Sequence, residues 1–242
     1  MRNLNKHPKV IELSATVLFY FFGKSSTLHK IVSKLYELSR LSHTAHQINS
    51  NVKIFTNREK LWIFARNELI GRKVLLLEFG VAEGYATNWW FKNLNTRAHI
   101  EYHGFDTFEG LPRSWNGFPK GSFTNFGNLP DLNLPLNYTF HKGLVQNTFN
   151  SKLIESMQHS AKKFVIFDLD LYEPTFFVFT AIKDYLNHGD LIYFDEANND
   201  DEYRIIKESF ENIQDFKLVG ASFSCLLFRF EPKNNSFYYS IT

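Results

Sequence analysis

Two pairs of acidic residues each close an apolar run. Asp168 and Asp170 follow Phe164-Val165-Ile166-Phe167, and Asp195 and Glu196 follow Leu191-Ile192-Tyr193-Phe194. An extended chain with period two puts Asp168 and Asp170 on one side of a strand, roughly 6 to 7 Å apart at their backbones. If the two runs are neighbouring strands, several carboxylates converge on one crevice, and their repulsion calls for a cation or a proton. A hard divalent metal held through oxygen answers that need, magnesium best, with Asp168, Asp195 and Glu196 as ligands. Open coordination positions would take substrate oxygens and acidify a bound hydroxyl, leaving Asp170 to accept its proton as catalytic base. Helix capping by these acids is the plainer alternative. It explains single acids better than two matched pairs at strand ends.

A second group lies earlier. Glu78-Phe79-Gly80-Val81-Ala82-Glu83-Gly84 follows the apolar run Val74-Leu75-Leu76-Leu77 and reads as a buried strand turning into a helix through a glycine loop. Gly80 allows the tight turn, and Gly84 lets the next helix start close to a ligand, where exposed amides hold a carboxylate. The middle glycine of the usual nucleotide fingerprint is replaced by Ala82. Further on, His103-Gly104-Phe105-Asp106 ends a following strand in an acid placed for ribose hydroxyls, so the two segments together point to an adenosine-containing cofactor. His141, at the end of another candidate strand, is a reserve general base. His43 and His46 stand three apart with no acidic or cysteine partner nearby and read as a solvated helical face.

The elements that must carry these residues change character along the chain. Residues 1–70 have helical patterns only, with Leu28, Ile31, Val32, Leu35, Leu38 and Leu41 near the 3.6-residue period and a repeat in Arg58 to Leu69. They are expected to form an N-terminal helical cap before a catalytic domain over 71–242. From Lys73 apolar strands alternate with helices, which predicts a doubly wound, mostly parallel Rossmann-like sheet. The expected strands are Val74 to Glu78, Ile100 to Phe105, Tyr138 to His141, Phe164 to Asp168 and Leu191 to Asp195. Phe216 to Ala221 and Ser224 to Phe230 are joined by too short a link for a parallel crossover, so they predict a terminal antiparallel hairpin and seven strands in all. Helices are expected at Tyr85 to Leu94, Ser151 to His159, Pro174 to Leu186 and Asp200 to Asn212. The Gly-, Pro- and Asn-rich stretch from Gly110 to Pro135 reads as a loop or lid.

Composition narrows the function classes. The 27 basic and 25 acidic side chains leave a net charge of +2, too little to attract nucleic acid or an acidic membrane over distance. The single cysteine, Cys225, excludes an intrachain disulfide and a cysteine zinc cluster. Val10 to Phe22 is apolar after a basic start but too short to span a bilayer and lacks a cleavage pattern, so it reads as a packing helix in preference to a membrane-surface anchor. A cytoplasmic enzyme is the expectation.

Three ordered motifs, Glu78-Phe79-Gly80-Val81, Gly104-Phe105-Asp106-Thr107-Phe108-Glu109-Gly110-Leu111-Pro112 and Asp168-Leu169-Asp170-Leu171-Tyr172-Glu173-Pro174-Thr175, resemble the macrocin O-methyltransferase family. The resemblance covers about residues 57–230, including Gly143 and Thr148 in a Gly-x-x-x-x-Thr pattern. It implies a class I methyltransferase fold that uses S-adenosylmethionine and magnesium to methylate a hydroxyl, commonly on a sugar of a glycosylated natural product. By position it implies that Glu78, Gly80 and Gly84 hold the methionine part of the cofactor. Asp106 would hold the ribose, with Thr107 and Phe108 beside it. It matches Asp168, Asp195 and Glu196 to the metal positions and Asp170 to the base. Where the family has Asp-Asp-Tyr this chain has Asp195-Glu196-Ala197, one longer ligand arm, so calcium or no metal stays open. Two alternatives are a metal-independent methyltransferase of another small molecule, using Asp170 or His141, and a non-catalytic cofactor- or glycan-binding protein. A nicotinamide-dependent dehydrogenase ranks last, for want of a Tyr-x-x-x-Lys arrangement. The implied partner is a hydroxylated small molecule, and a homo-oligomer stays open.

Overall fold

A computed structural model of the chain describes residues 45–46, 48–94, 99–132, 138–150, 162–197, 200–210 and 215–232, together with Thr27, Leu153, Glu155 and Met157. The expected helices Val10 to Phe22 and Leu28 to Leu41, and most of Ser151 to His159, lie outside these residues. The chain divides into two compact units, Met1–Arg40 and Leu41–Thr242, and everything below concerns the second.

The strands are β1 (Lys53–Ile54), β2 (Lys73–Phe79), β3 (His99–Asp106), β4 (Tyr138–Lys142), β5 (Lys162–Phe167), β6 (Leu191–Phe194), β7 (Phe216–Ala221) and β8 (Leu226–Phe230). They form one sheet in the order β1-β7-β8-β6-β5-β2-β3-β4. All pairs are parallel except those of β8 with β6 and β7. The expected parallel sheet and terminal hairpin are therefore present, with β1 as an added edge strand. The helices are α1 (Arg58–Asn67), α2 (Tyr85–Leu94), α3 (Val145–Thr148), α4 (Tyr172–Ile182) and α5 (Asp200–Ile205). α5 runs on into a π-helical turn, Ile206–Phe210. Arg58–Asn67, read from the sequence as part of the cap, forms α1 of the same compact unit as the sheet. Among the described residues no helix is long and apolar enough to cross a membrane.

β2, β5 and β6 are apolar almost throughout because both faces of the sheet are covered. Val74 and Leu76 of β2, Phe164 and Ile166 of β5, and Leu191 and Tyr193 of β6 pack on one face with Leu61, Trp62 and Ala65 of α1 and Trp90, Phe91 and Leu94 of α2. Leu75, Leu77, Val165 and Ile192 alternate to the other face, against Val178, Phe179 and Ile182 of α4 and Ile205 of α5. Trp62 ties α1 to the sheet, its ring centroid 5.1 Å from Trp89, 5.9 Å from Trp90 and 6.2 Å from Tyr193.

One row of this core sets the level of the site. Phe105, Phe79, Phe167 and Phe194 are register partners on β3, β2, β5 and β6. Their rings stack at centroid distances of 4.8, 5.7 and 5.0 Å. His141 extends the row on β4, 4.3 Å from Phe105 and nearly parallel to it. Such offset-stacked rings pin the register of four strands. The next residue on each is Gly80, Asp106, Asp168 or Asp195, so the polar groups emerge side by side at the carboxyl edge. Alternation turns them away from the phenylalanine face, toward the side covered by α1 and α2.

Candidate active site

The chain leaves β2 toward β3 on one side and later returns to β5 on the other, so the β2/β5 junction is a topological switch point, where open α/β sheets hold ligands. A cavity of about 980 Å³ lies there, lined among others by Gly80, Asp106, Asp168, Asp170, Asp195 and Arg58. That is the upper end of the ~300–1,000 Å³ range of small-molecule sites, enough for a cofactor and an acceptor together.

Gly80 is the narrowest point of the framework. Its φ is +94°, and a Cβ there would lie 1.8 Å from the carbonyl oxygen of Asp168. The Gly80 amide donates to Phe105 O at 2.9 Å and the Asp168 amide to Phe79 O at 2.8 Å, so the ladders run on past the strand ends. The loop that follows is held by Asp106: its Oδ2 accepts from the amides of Val81 (2.8 Å) and Ala82 (2.7 Å), and its Oδ1 from Phe108 (2.7 Å). A carboxylate has about four lone-pair sites, so three bonds leave capacity for one ribose hydroxyl. A glycine loop, an acid anchored against it and a cavity of this size fit an adenosine-containing cofactor.

The sequence-derived cofactor residues separate into two groups. Gly80, Asp106 and Thr107 line the cavity; Glu78, Gly84 and Phe108 are not among its lining residues. Glu78 lies one turn of the pleat deeper on the α2 side of the sheet and is buried, its Oε2 accepting from Thr87 Oγ1 and Tyr102 Oη, each at 2.8 Å. Burial pushes its pKa up to about 8, offset in part by those hydroxyls. Gly84 sits against Pro130 and Leu132, and Phe108 is buried with a φ of +58°.

The acids assigned to catalysis do come together, with altered geometry. β5 stops at Phe167 and Asp170 has a φ of +62°, so the extended, same-side pairing expected for Asp168 and Asp170 is not what forms. The backbone turns at Asp170 so that both still line the cavity. Burial, then the fields of Asp195, Asp106 and Asp201, lifts Asp170 to about 7. Burial, then Asp195, Asp170, Glu202 and Glu196, holds Asp168 well above the ordinary carboxylate range. Glu202 of α5, which no sequence motif singled out, is fully buried nearby; its Oε2 accepts from the Glu196 amide at 3.2 Å. Burial, then Asp170 and Asp195, raises it well above its usual value.

His141 stands away from this cluster and is not among the lining residues. Its Nε2 is 2.9 Å from His103 Nδ1, and burial and His103 together lower its pKa.

Arg58 is the member that sequence reading passed over. It opens α1, whose N-cap is Asn57, with Asn57 Oδ1 accepting from the Lys60 amide at 3.0 Å. Its Nη1 donates to Asp195 Oδ2 at 3.0 Å. Asp195 Oδ1 accepts from Tyr193 Oη at 2.6 Å and from Cys225 Sγ at 3.5 Å. Burial opposes the charge of Arg58, but the fields of Asp195, Tyr193, Asp168 and Cys225 outweigh it, so its pKa is raised. The expected metal set of Asp168, Asp195 and Glu196 does not fit a divalent ion as arranged. Both oxygens of Asp195 are engaged and a guanidinium faces one of them. Among the described residues no three His, Cys, Asp or Glu side chains converge in a way that would hold a metal.

The loop after β3 supplies the outer wall with Leu111, Pro112, Trp115, Phe118 and Phe123. Arg113 fastens it to the start of α4, Nη2 lying 3.0 Å from Glu173 Oε2 and 3.9 Å from Asp201 Oδ2.

Comparison with solved structures gives a likeness to CalS11, a calicheamicin methyltransferase, with a TM-score of 0.52 and 19% identity over 88% of this chain and 90% of that one. An apo structure of CalS11, described as a TDP-rhamnose 3'-O-methyltransferase, aligns with a TM-score of 0.48 and 21% identity over 70% of this chain and 76% of that one. The O-methyltransferase NovP aligns with a TM-score of 0.43 and 16% identity over 69% of this chain and 75% of that one. No family model and no curated protein matches the sequence. The chain has the Rossmann-like α/β fold of class I methyltransferases, with a mostly parallel sheet ending in an antiparallel hairpin.

Proposed function

We propose that this protein is an S-adenosylmethionine-dependent O-methyltransferase acting on a hydroxyl of a sugar or other polyhydroxylated small molecule, akin to the macrocin O-methyltransferases that its motifs resemble. The observation that carries this reading is the cavity at the β2/β5 switch point, which joins a glycine loop anchored by Asp106 to a carboxyl group, Asp170, poised near neutrality. The fold shared with a calicheamicin methyltransferase supports it.

Gly80 and the loop to Ala82 would cradle the cofactor, and Asp106 would hold its ribose while fixing that loop. S-adenosylmethionine, when bound, supplies a methyl group already activated on a sulfonium. The protein therefore needs to align the acceptor oxygen and take up its proton. Asp170 is suited to the second task, because a base with a pKa of about 7 is both available and strong enough near neutral pH. Trp115, Phe118 and Phe123 offer apolar surface to the rest of the acceptor. The magnesium expected from the sequence has no step in this reading, since Asp195 is held by Arg58. A soluble small-molecule acceptor, with no nucleic-acid partner, completes the proposal.

Calorimetric titration with S-adenosylhomocysteine, with NAD as control, tests the assignment. Saturable binding of S-adenosylhomocysteine alone is expected. Preference for NAD, or no binding of either, would overturn it.

A further inference from the structure

We propose that Arg58 is the resident cation of the acid cluster, standing where a divalent metal would otherwise be needed, and that removing its charge leaves the acids in need of another cation. The proposal concerns this chain's own charges and holds whichever reaction the cavity serves.

The first reason is occupancy. Asp195 is 4% exposed, and its oxygens are taken by Arg58 Nη1 at 3.0 Å on one side and by Tyr193 Oη and Cys225 Sγ on the other. An octahedral magnesium ion needs direct contact with oxygen at about 2.0–2.1 Å. It would meet the guanidinium on the same carboxylate, and two cations on one carboxylate repel strongly in a partly buried site.

The second reason is fixation. Arg58 is anchored as the first residue of α1 and lies over the rings of Trp62 and Tyr85, at 5.4 and 5.0 Å from their centroids. Tyr85 is itself tied to Glu59 of α1, its Oη donating to Oε1 at 2.8 Å. Arginine stacks on aromatic rings and is weakly hydrated, which suits it to a half-buried ion pair better than lysine.

The third reason is charge. Asp106, Asp168, Asp170, Glu173, Asp195 and Glu196 line the cavity, against two lining arginines, Arg58 and Arg113. Arg113 is spent on Glu173 and Asp201 at the rim. Among the described lining residues that leaves Arg58 as the cation set against the inner acids.

Arg58 is thereby a positioning residue: it orients Asp195 and offsets the acids beside it without touching the reacting atoms. Magnesium and manganese are titrated into the wild-type protein by calorimetry, and manganese also by the loss of its free-ion electron paramagnetic resonance signal. The wild type is expected to give no saturable binding. Arg58→Ala and Arg58→Gln are expected to gain it, at least about tenfold tighter than any wild-type signal, a factor well within reach of one charge. Arg58→Lys, which keeps the charge, is expected to behave as the wild type. Circular dichroism identifies a variant that fails to fold, and the wild-type titration stands without any variant. Saturable ion binding by the wild type, or folded charge-free variants that bind no more than it does, would overturn the proposal. Cofactor binding is measured separately, so a failed methyltransferase reading would be recognised as such.

Discussion

Asp170 illustrates how one residue's chemistry depends on its surroundings. Burial and three neighbouring acids raise its carboxyl to about 7, so it would be half-protonated where most carboxyls are fully ionised. If it accepts the acceptor's proton, turnover should climb with pH through about 7 and level off above it, because only the ionised form is a base. Asp170→Asn should reduce turnover by roughly 10²–10⁴-fold, the usual size of a general-base contribution. It should leave S-adenosylhomocysteine binding within a few-fold of wild type. Initial rates across pH, with a titration of each protein, check both. Arg58 teaches the converse: an arginine in a helix that the sequence assigns to packing becomes part of the site only through a 3.0 Å contact with Asp195.

Among the elements, the junction of β2 and β5 has the least tolerance. Gly80 carries a φ of +94° and faces the Asp168 carbonyl, with no room for a methyl group. Gly80→Ala should therefore destabilise the protein by more than about 3 kcal/mol, combining backbone strain with a forced separation of two central strands. Gly117, with a φ of +85° and no heavy atom within 4 Å of where a Cβ would stand, supplies the control. Gly117→Ala should cost only about 1–2 kcal/mol, from the left-handed conformation alone. Urea unfolding of the three proteins measures the difference, and equal losses would mean that the close approach at Gly80 is unimportant. The phenylalanine row works at the same scale, since it brings Gly80, Asp106, Asp168 and Asp195 to one level.

Across the whole molecule, buried acids set the response of stability to pH. Glu78 has its pKa raised to about 8 and Asp170 to about 7, and Asp168 and Glu202 are raised as well. In each the folded chain keeps a proton that the unfolded chain releases near pH 4. Their contribution is fully present below that pH and is lost as pH rises through the folded values. Glu59, Glu173, Glu208 and Glu231 are shifted downward and stand at or near the surface, so they act in the opposite sense and only below about pH 4.5. The protein without ligands should melt at a higher temperature near pH 5 than near pH 8.5, as judged by thermal scans at constant ionic strength. Glu78→Gln, which cannot ionise, should reduce the loss on the alkaline side. A melting temperature that rises from pH 5 to 8.5 would contradict these buried protons.

Local patterning was enough to set the alternation of strands and helices, the parallel core and the terminal hairpin. Apolar runs buried on both faces, and a link too short for a crossover, leave little freedom. Patterning also brought Gly80, Asp106, Asp168, Asp170, Asp195 and Glu196 to one edge, because each follows or ends an apolar run. Which way these residues face was left to the packing of the folded chain. Thr87 and Tyr102 hold Glu78 in the core, and a left-handed turn at Asp170 replaced the extended pairing. The seating of α1 brought Arg58 to Asp195, and α5 brought Glu202 beside the acids. Arg58 and Asp195 stand 137 residues apart, and no local pattern encodes their contact.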